Sequence, residues 1–169
     1  MSDLAIAHRR SVINPLLPLP VPTLYFAYGT NMVSRQMALR CPRSPAIGIA
    51  RLPDWRFRIN AEGWATVVPE PGAVVYGRLW RLTSEDEVAL DLYEALPSGL
   101  YAKQRVPVVP DGEATANAMV YLASDPRPGM PLARYLTPIL SAAAELKFPI
   151  EYQTELRRWS PLPIDRATE

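Results

Sequence analysis

The stretch that most constrains this chain is Leu24-Tyr25-Phe26-Ala27-Tyr28-Gly29-Thr30-Asn31-Met32. Its first half is continuously apolar and aromatic, the pattern of a buried strand. Its second half, Gly29-Thr30-Asn31, is turn chemistry. Gly29 permits positive φ and a close backbone approach to a ligand. Beyond Asn31, Met32, Gln36 and Leu39 recur at helical spacing until Cys41-Pro42. A strand that breaks at glycine and opens a helix aims several backbone N–H groups at one point, and such a point attracts anions. The same pattern also serves as a plain strand-turn-helix joint, so the rest of the chain has to decide between them.

The rare residues exclude much chemistry. The chain of 169 residues has one cysteine, Cys41, and one histidine, His8. No intramolecular disulfide or thiolate cluster follows from that, and no metal site is expected. His8 lies in an N-terminal arm, so Ser-His-Asp, Cys-His and His-zinc chemistry are all disfavoured. Any proton transfer must come from carboxylates, tyrosine or lysine. The formal net charge is +1, which offers nothing to nucleic acid or to an acidic membrane. No apolar run is long enough to span a bilayer. Arg9-Arg10 resembles the start of a twin-arginine signal, but Pro15, Pro18, Pro20 and Pro22 break the apolar stretch behind it. A cytoplasmic location is the expectation.

Nineteen prolines argue for short elements and rigid turns. Residues 1–23 read as a proline-rich arm, 24–160 as one domain and 161–169 as a polar tail. Strands are expected at 24–28, 46–52, 55–60, 64–68, 73–82, 100–109 and 116–122. Pro53-Asp54 and residues 69–72 are read as turns between them. Gly77, inside a strand, suggests a bend at a barrel corner. Ser84 with Glu87 three residues on reads as a capping box opening a helix that ends near Glu94, before Pro97-Ser98-Gly99. Residues 132–148, interrupted at Pro138, and 150–159 read as helices. At least six short strands with frequent turns imply an α+β domain built on a small antiparallel or mixed barrel.

Several motifs together resemble the γ-glutamylcyclotransferases. Tyr25-Phe26-Ala27-Tyr28-Gly29-Thr30-Asn31-Met32 is similar to that family's opening motif, usually Tyr-Phe-Ala-Tyr-Gly-Ser-Asn and then Leu or Met. Ala50-Arg51-Leu52-Pro53-Asp54-Trp55, Ala65-Thr66-Val67 and Val75-Tyr76-Gly77-Arg78-Leu79-Trp80 resemble its strands. Leu90-Asp91-Leu92-Tyr93-Glu94 followed by Ser98-Gly99-Leu100-Tyr101 resembles the segment with its catalytic glutamate, and Pro149-Ile150-Glu151-Tyr152-Gln153 its closing helix. The resemblance covers roughly residues 24–158, in order.

It implies a small mixed β-barrel with packed helices and a pocket at one barrel mouth. It implies cyclisation of a small-molecule γ-glutamyl amide to 5-oxoproline, with release of an amine or amino acid and without a cofactor. It implies Glu94 as the catalytic base, and Tyr28, Gly29, Thr30, Asn31, Met32 and Tyr101 as substrate-binding residues. A homodimer is compatible with it. The reaction suits a domain without histidine. The substrate's own α-amine is the nucleophile, and an aligned intramolecular attack has a high effective molarity. The position of Glu94 at a helix C-terminus should disfavour its ionised form and raise its pKa.

Three positions depart from the family pattern: Thr30 for serine, Ala95 for glycine, and Gly63-Trp64 where two small residues are usual. They leave open a bulkier γ-glutamyl conjugate as substrate. They also leave open a ligand-binding module without turnover.

Overall fold

The computed structural model describes residues 21–160. Residues 1–20 of the proline-rich arm, His8 among them, and the polar tail at 161–169 lie outside the described residues.

The chain begins with strand β1 (Thr23–Ala27), a 3-10 turn (Thr30–Met32) and helix α1 (Ser34–Arg40). Two long strands follow, β2 (Ala46–Ile59) and β3 (Ala65–Leu82), then helix α2 (Ser84–Tyr93) and a second 3-10 turn (Leu96–Ser98). Strands β4 (Tyr101–Pro110) and β5 (Ala116–Ala123) precede helices α3 (Leu136–Glu145) and α4 (Ile150–Arg157). The strands close into a barrel in the order β1-β3-β2-β4-β5. Every pairing is antiparallel except β5 on β1, where Tyr25 meets Met119 in parallel. The expected small mixed barrel with packed helices is therefore the fold.

The strand count differs because two turn signals face each other. Trp55 pairs with Pro69 and Pro53 with Val74, so Asp54 stands opposite residues 70–73. Asp54 is left-handed at φ 63, and its Oδ1 accepts the Gly72 N–H at 2.8 Å. The turn chemistry makes one large bulge, and pairing resumes on both sides of it. Four expected strands thus merge into β2 and β3.

Gly77 marks a close approach. A Cβ there would lie 2.5 Å from the Ala27 carbonyl oxygen and 2.6 Å from Phe26 Cζ. Its absence lets β1 lie tightly on β3 while Phe26, Leu52, Phe57 and Val75 fill the core.

Two local expectations shift. The helix read from Asn31 is broken at Val33, which is extended (φ −76, ψ 113). Met32 and Met37 are buried, whereas Leu39 is 81% exposed, so its helical spacing carried no core face. The cap of α2 is Thr83, whose hydroxyl accepts the Asp86 N–H at 3.2 Å. Ser84 is the first helical residue. Asp86 turns away from the helix end, accepting from Ser44 Oγ at 2.7 Å and the Arg43 N–H at 2.9 Å.

Candidate active site

Where β1 ends and β4 begins, the barrel mouth opens into a cavity of about 220 Å³. That is many times the volume one water needs. Its floor consists of buried residues, among them Tyr25, Tyr28, Asn31, Tyr101 and Tyr121. Its rim is formed by the partly exposed Trp64, Tyr93, Leu100 and Tyr135, with Gly29 and Thr30 on one side. Glu94 is the charged residue in the lining.

Glu94 is placed by a helix end and a strained turn. It is the C-cap of α2, and its N–H reaches the Leu90 carbonyl at 2.9 Å. Ala95 then takes the left-handed conformation, φ 53 and ψ 38, which turns the chain into the second 3-10 turn. That conformation explains why glycine suits this position: alanine pays a steric cost of about 1 kcal/mol or more there.

The carboxylate is held by Asn31, whose Nδ2 donates to Glu94 Oε1 at 2.7 Å and to the Tyr25 hydroxyl at 2.8 Å. The orientation of that amide is fixed from behind. The Arg40 guanidinium donates to Asn31 Oδ1, and the Trp80 indole N–H holds the main chain of the loop by donating to the Asn31 backbone carbonyl at 3.1 Å. Arg40 also donates to Thr30 Oγ1 at 3.4 Å and to the Tyr93 hydroxyl, and the Tyr93 ring lies 3.7 Å from the guanidinium carbon. A cation and an aromatic ring thus brace the loop that carries Thr30 and Asn31.

Burial pushes the Glu94 carboxyl above the usual carboxylate range. The Asn31 hydrogen bond and the Arg40 charge oppose the shift without cancelling it. The direction is the one expected from sequence, but its main cause is desolvation rather than the helix end. Neighbouring phenols are pushed up as well, again chiefly by burial, and stay neutral: Tyr25, Tyr28, Tyr101, Tyr121 and Tyr135.

The residues expected to bind substrate are mostly brought together. Tyr28, Gly29, Thr30, Asn31, Tyr101 and Glu94 all line the cavity. Met32 does not: it is 1% exposed and packs into the core beneath the loop. Gly29 lies at φ −108, so no left-handed turn is needed there. A Cβ on it would sit 3.4 Å from Ala65 Cβ and 3.7 Å from the Tyr135 hydroxyl, inside the cavity. The Tyr28 hydroxyl is tied to the Tyr121 carbonyl, and the Tyr101 hydroxyl donates to the Ala65 carbonyl at 2.7 Å. Neither phenol is bonded to Glu94; they set the walls. Asp91 accepts from the Tyr121 hydroxyl at 2.6 Å and pairs with Lys103 at 2.8 Å.

Sequence reading missed Arg40, Tyr93 and Tyr135. The Tyr135 hydroxyl accepts the Ala65 N–H at 3.1 Å, which leaves its own proton for a ligand. Nothing in the sequence around Tyr135 signals this, because its partner lies seventy residues earlier.

This arrangement supplies a buried carboxyl with raised proton affinity, phenol donors and a glycine-containing loop in one cavity. Comparison with known proteins points the same way. The sequence profile of the γ-glutamyl cyclotransferase, AIG2-like family matches residues 25–137. The chain is 30% identical over 148 residues to human γ-glutamylcyclotransferase, covering 82% of this chain and 79% of that protein. The mouse γ-glutamylcyclotransferase matches to the same extent. A solved structure of a γ-glutamyl cyclotransferase superimposes with a TM-score of 0.75 at 28% identity, over 87% of this chain and 92% of that one.

Proposed function

Because the chain belongs to the γ-glutamyl cyclotransferase, AIG2-like family, we propose that Glu94 is the proton-transfer group that cyclises a γ-glutamyl amide in the barrel-mouth cavity. The chain is a γ-glutamylcyclotransferase-like enzyme.

The substrate's α-amine attacks its own γ-carbonyl carbon, forming the C–N bond of a five-membered lactam. Glu94, ionised, takes a proton from the attacking amine. The oxyanion that develops on the γ-carbonyl oxygen is met by donors at the Gly29-Thr30-Asn31 loop and by the Tyr135 hydroxyl. The bond from carbon to the leaving nitrogen then breaks, and Glu94 returns the proton to that nitrogen. The products are 5-oxoproline and an amine. No water is consumed and no group is left on the enzyme. A carboxyl that must both accept and deliver one proton works best with its pKa near the working pH, and burial moves Glu94 in that direction.

The observation that carries this reading is the hold on Glu94. One oxygen is fixed by Asn31 at 2.7 Å. The other accepts no hydrogen bond from the protein among the described residues, so one oxygen is anchored while the other is free to exchange a proton. The test is direct: incubate the full-length protein with a γ-glutamyl amino acid and measure 5-oxoproline. Catalysed release supports the reading. No release from any γ-glutamyl compound would make the site a binding module.

A further inference from the structure

Resting on the cyclotransferase reading above, we propose that the cavity mouth is a subsite for an aryl-bearing primary amine lacking a carboxylate, so that γ-glutamyl amides of arylalkylamines are the preferred substrates. With the glutamyl end held at Glu94 and the Gly29-Thr30-Asn31 loop, the departing amine must extend through the rim. The rim is aromatic and apolar: Trp64, Tyr93, Leu100 and Tyr135.

These aromatics are held in place rather than loosely exposed. Asn60, 1% exposed, accepts the Trp64 N–H on its Oδ1 at 2.8 Å and the Glu62 N–H at 3.2 Å, fixing the hairpin tip between β2 and β3. The Trp64 ring then meets Tyr135 edge to face, with centroids 4.9 Å apart and planes at 87°. Tyr93, although 52% exposed, is clamped through its ring and its hydroxyl by Arg40. Preorganised aromatic faces bind a flat apolar group at low entropic cost. Among the described residues the cavity lining holds no cationic side chain to pair with a carboxylate, and the free proton of the Tyr135 hydroxyl is assigned to the oxyanion. The charged lining group is Glu94, which would repel a carboxylate, and the guanidinium of Arg40 is already committed to Thr30, Asn31 and Tyr93.

The experiment compares kcat/KM of the full-length protein for three compounds: γ-glutamyl-phenethylamide, γ-glutamyl-ethylamide and γ-glutamyl-phenylalanine. Phenethylamine is somewhat less basic than ethylamine and departs more readily, so recognition of the ring is read as the part of the phenethylamide-to-ethylamide ratio that Trp64→Ile removes. The third carries the ring with a carboxylate beside it. The phenethylamide is expected to exceed each of the others by at least about threefold, within the range of one aromatic contact. In Trp64→Ile the phenethylamide-to-ethylamide ratio is expected to fall towards one. If the ethylamide or the phenylalanine compound is turned over as well as the phenethylamide, the subsite is wrong while the cyclotransferase reading stands. If none of these compounds, nor any other γ-glutamyl amide, releases 5-oxoproline, that reading fails and takes the subsite with it.

Discussion

The Asn31 side chain reaches Glu94 at 2.7 Å, and the same Nδ2 reaches Tyr25 at 2.8 Å. One amide thereby ties the end of α2 to the first barrel strand. Its other end is committed to Arg40, so the amide cannot flip without losing all three contacts. The position of the carboxylate is set by the loop of the opening motif, and the orientation of the loop is set by a cation at the end of α1.

Arg40 should therefore control the acid limb of the pH–rate profile. Its positive charge opposes the upward shift of the Glu94 pKa. The other groups coupled to Glu94 are the phenols of the cavity and the Cys41 thiol, which burial pushes up to about 11. None of them is charged near neutrality. In Arg40→Met the carboxyl holds its proton to higher pH, so the point at which activity falls on acidification should move upward. Arg40→Lys, which restores the charge without the planar fork, should return that point towards wild type while kcat stays low. A profile that scales down without shifting would contradict this role.

Ala95 offers a test on stability. It sits at φ 53 with no glycine to relieve the strain. Ala95→Gly should raise the melting temperature by a few degrees, consistent with about 0.5–1 kcal/mol after the entropy cost of glycine in the unfolded chain. An unchanged or lowered melting temperature would mean that the turn does not carry the strain its backbone angles imply.

Much of this was legible in the sequence. The strand that ends at Gly29 and the capped helix that ends at Glu94 are local patterns, and the cavity unites both. The barrel was legible as a class, but its strand count was not. Pro53-Asp54 and residues 69–72 each look like a chain reversal, and only their cross-strand register makes them a single bulge. Thr83 and Ser84 are both competent caps, and a one-residue choice between them is settled by where the chain enters α2. Arg40, Tyr93 and Tyr135 stayed hidden because their contacts are long-range. Arg40 meets Tyr93 across 53 residues, and Tyr135 meets Ala65 across 70.

Gly29 matters for space rather than for backbone freedom. At φ −108 it can be replaced without left-handed strain. In Gly29→Val the Cβ would lie between Ala65 and Tyr135, with the two added methyls beyond it occupying the ligand's volume. The variant should fold and should lose at least about tenfold in affinity for 5-oxoproline, about 1.4 kcal/mol. Unchanged affinity by titration calorimetry in a folded variant would place the glutamyl end elsewhere.

The central claim rests on Glu94 as the proton carrier, and Glu94→Gln addresses it with the least disturbance of the site. Glutamine keeps the length of the side chain, and its carbonyl can still accept from Asn31. Removing a carboxylate that burial disfavours should leave the protein at least as stable at neutral pH. The sign follows from the raised pKa: the folded state holds the proton more tightly than the unfolded chain, so the wild type loses stability as pH rises through the Glu94 pKa, and glutamine does not. The decisive measurement is the rate of 5-oxoproline release by folded Glu94→Gln under saturating γ-glutamyl substrate. A fall of at least about 10²-fold, with ligand binding retained, is the predicted result; a rate near that of the wild type would contradict it.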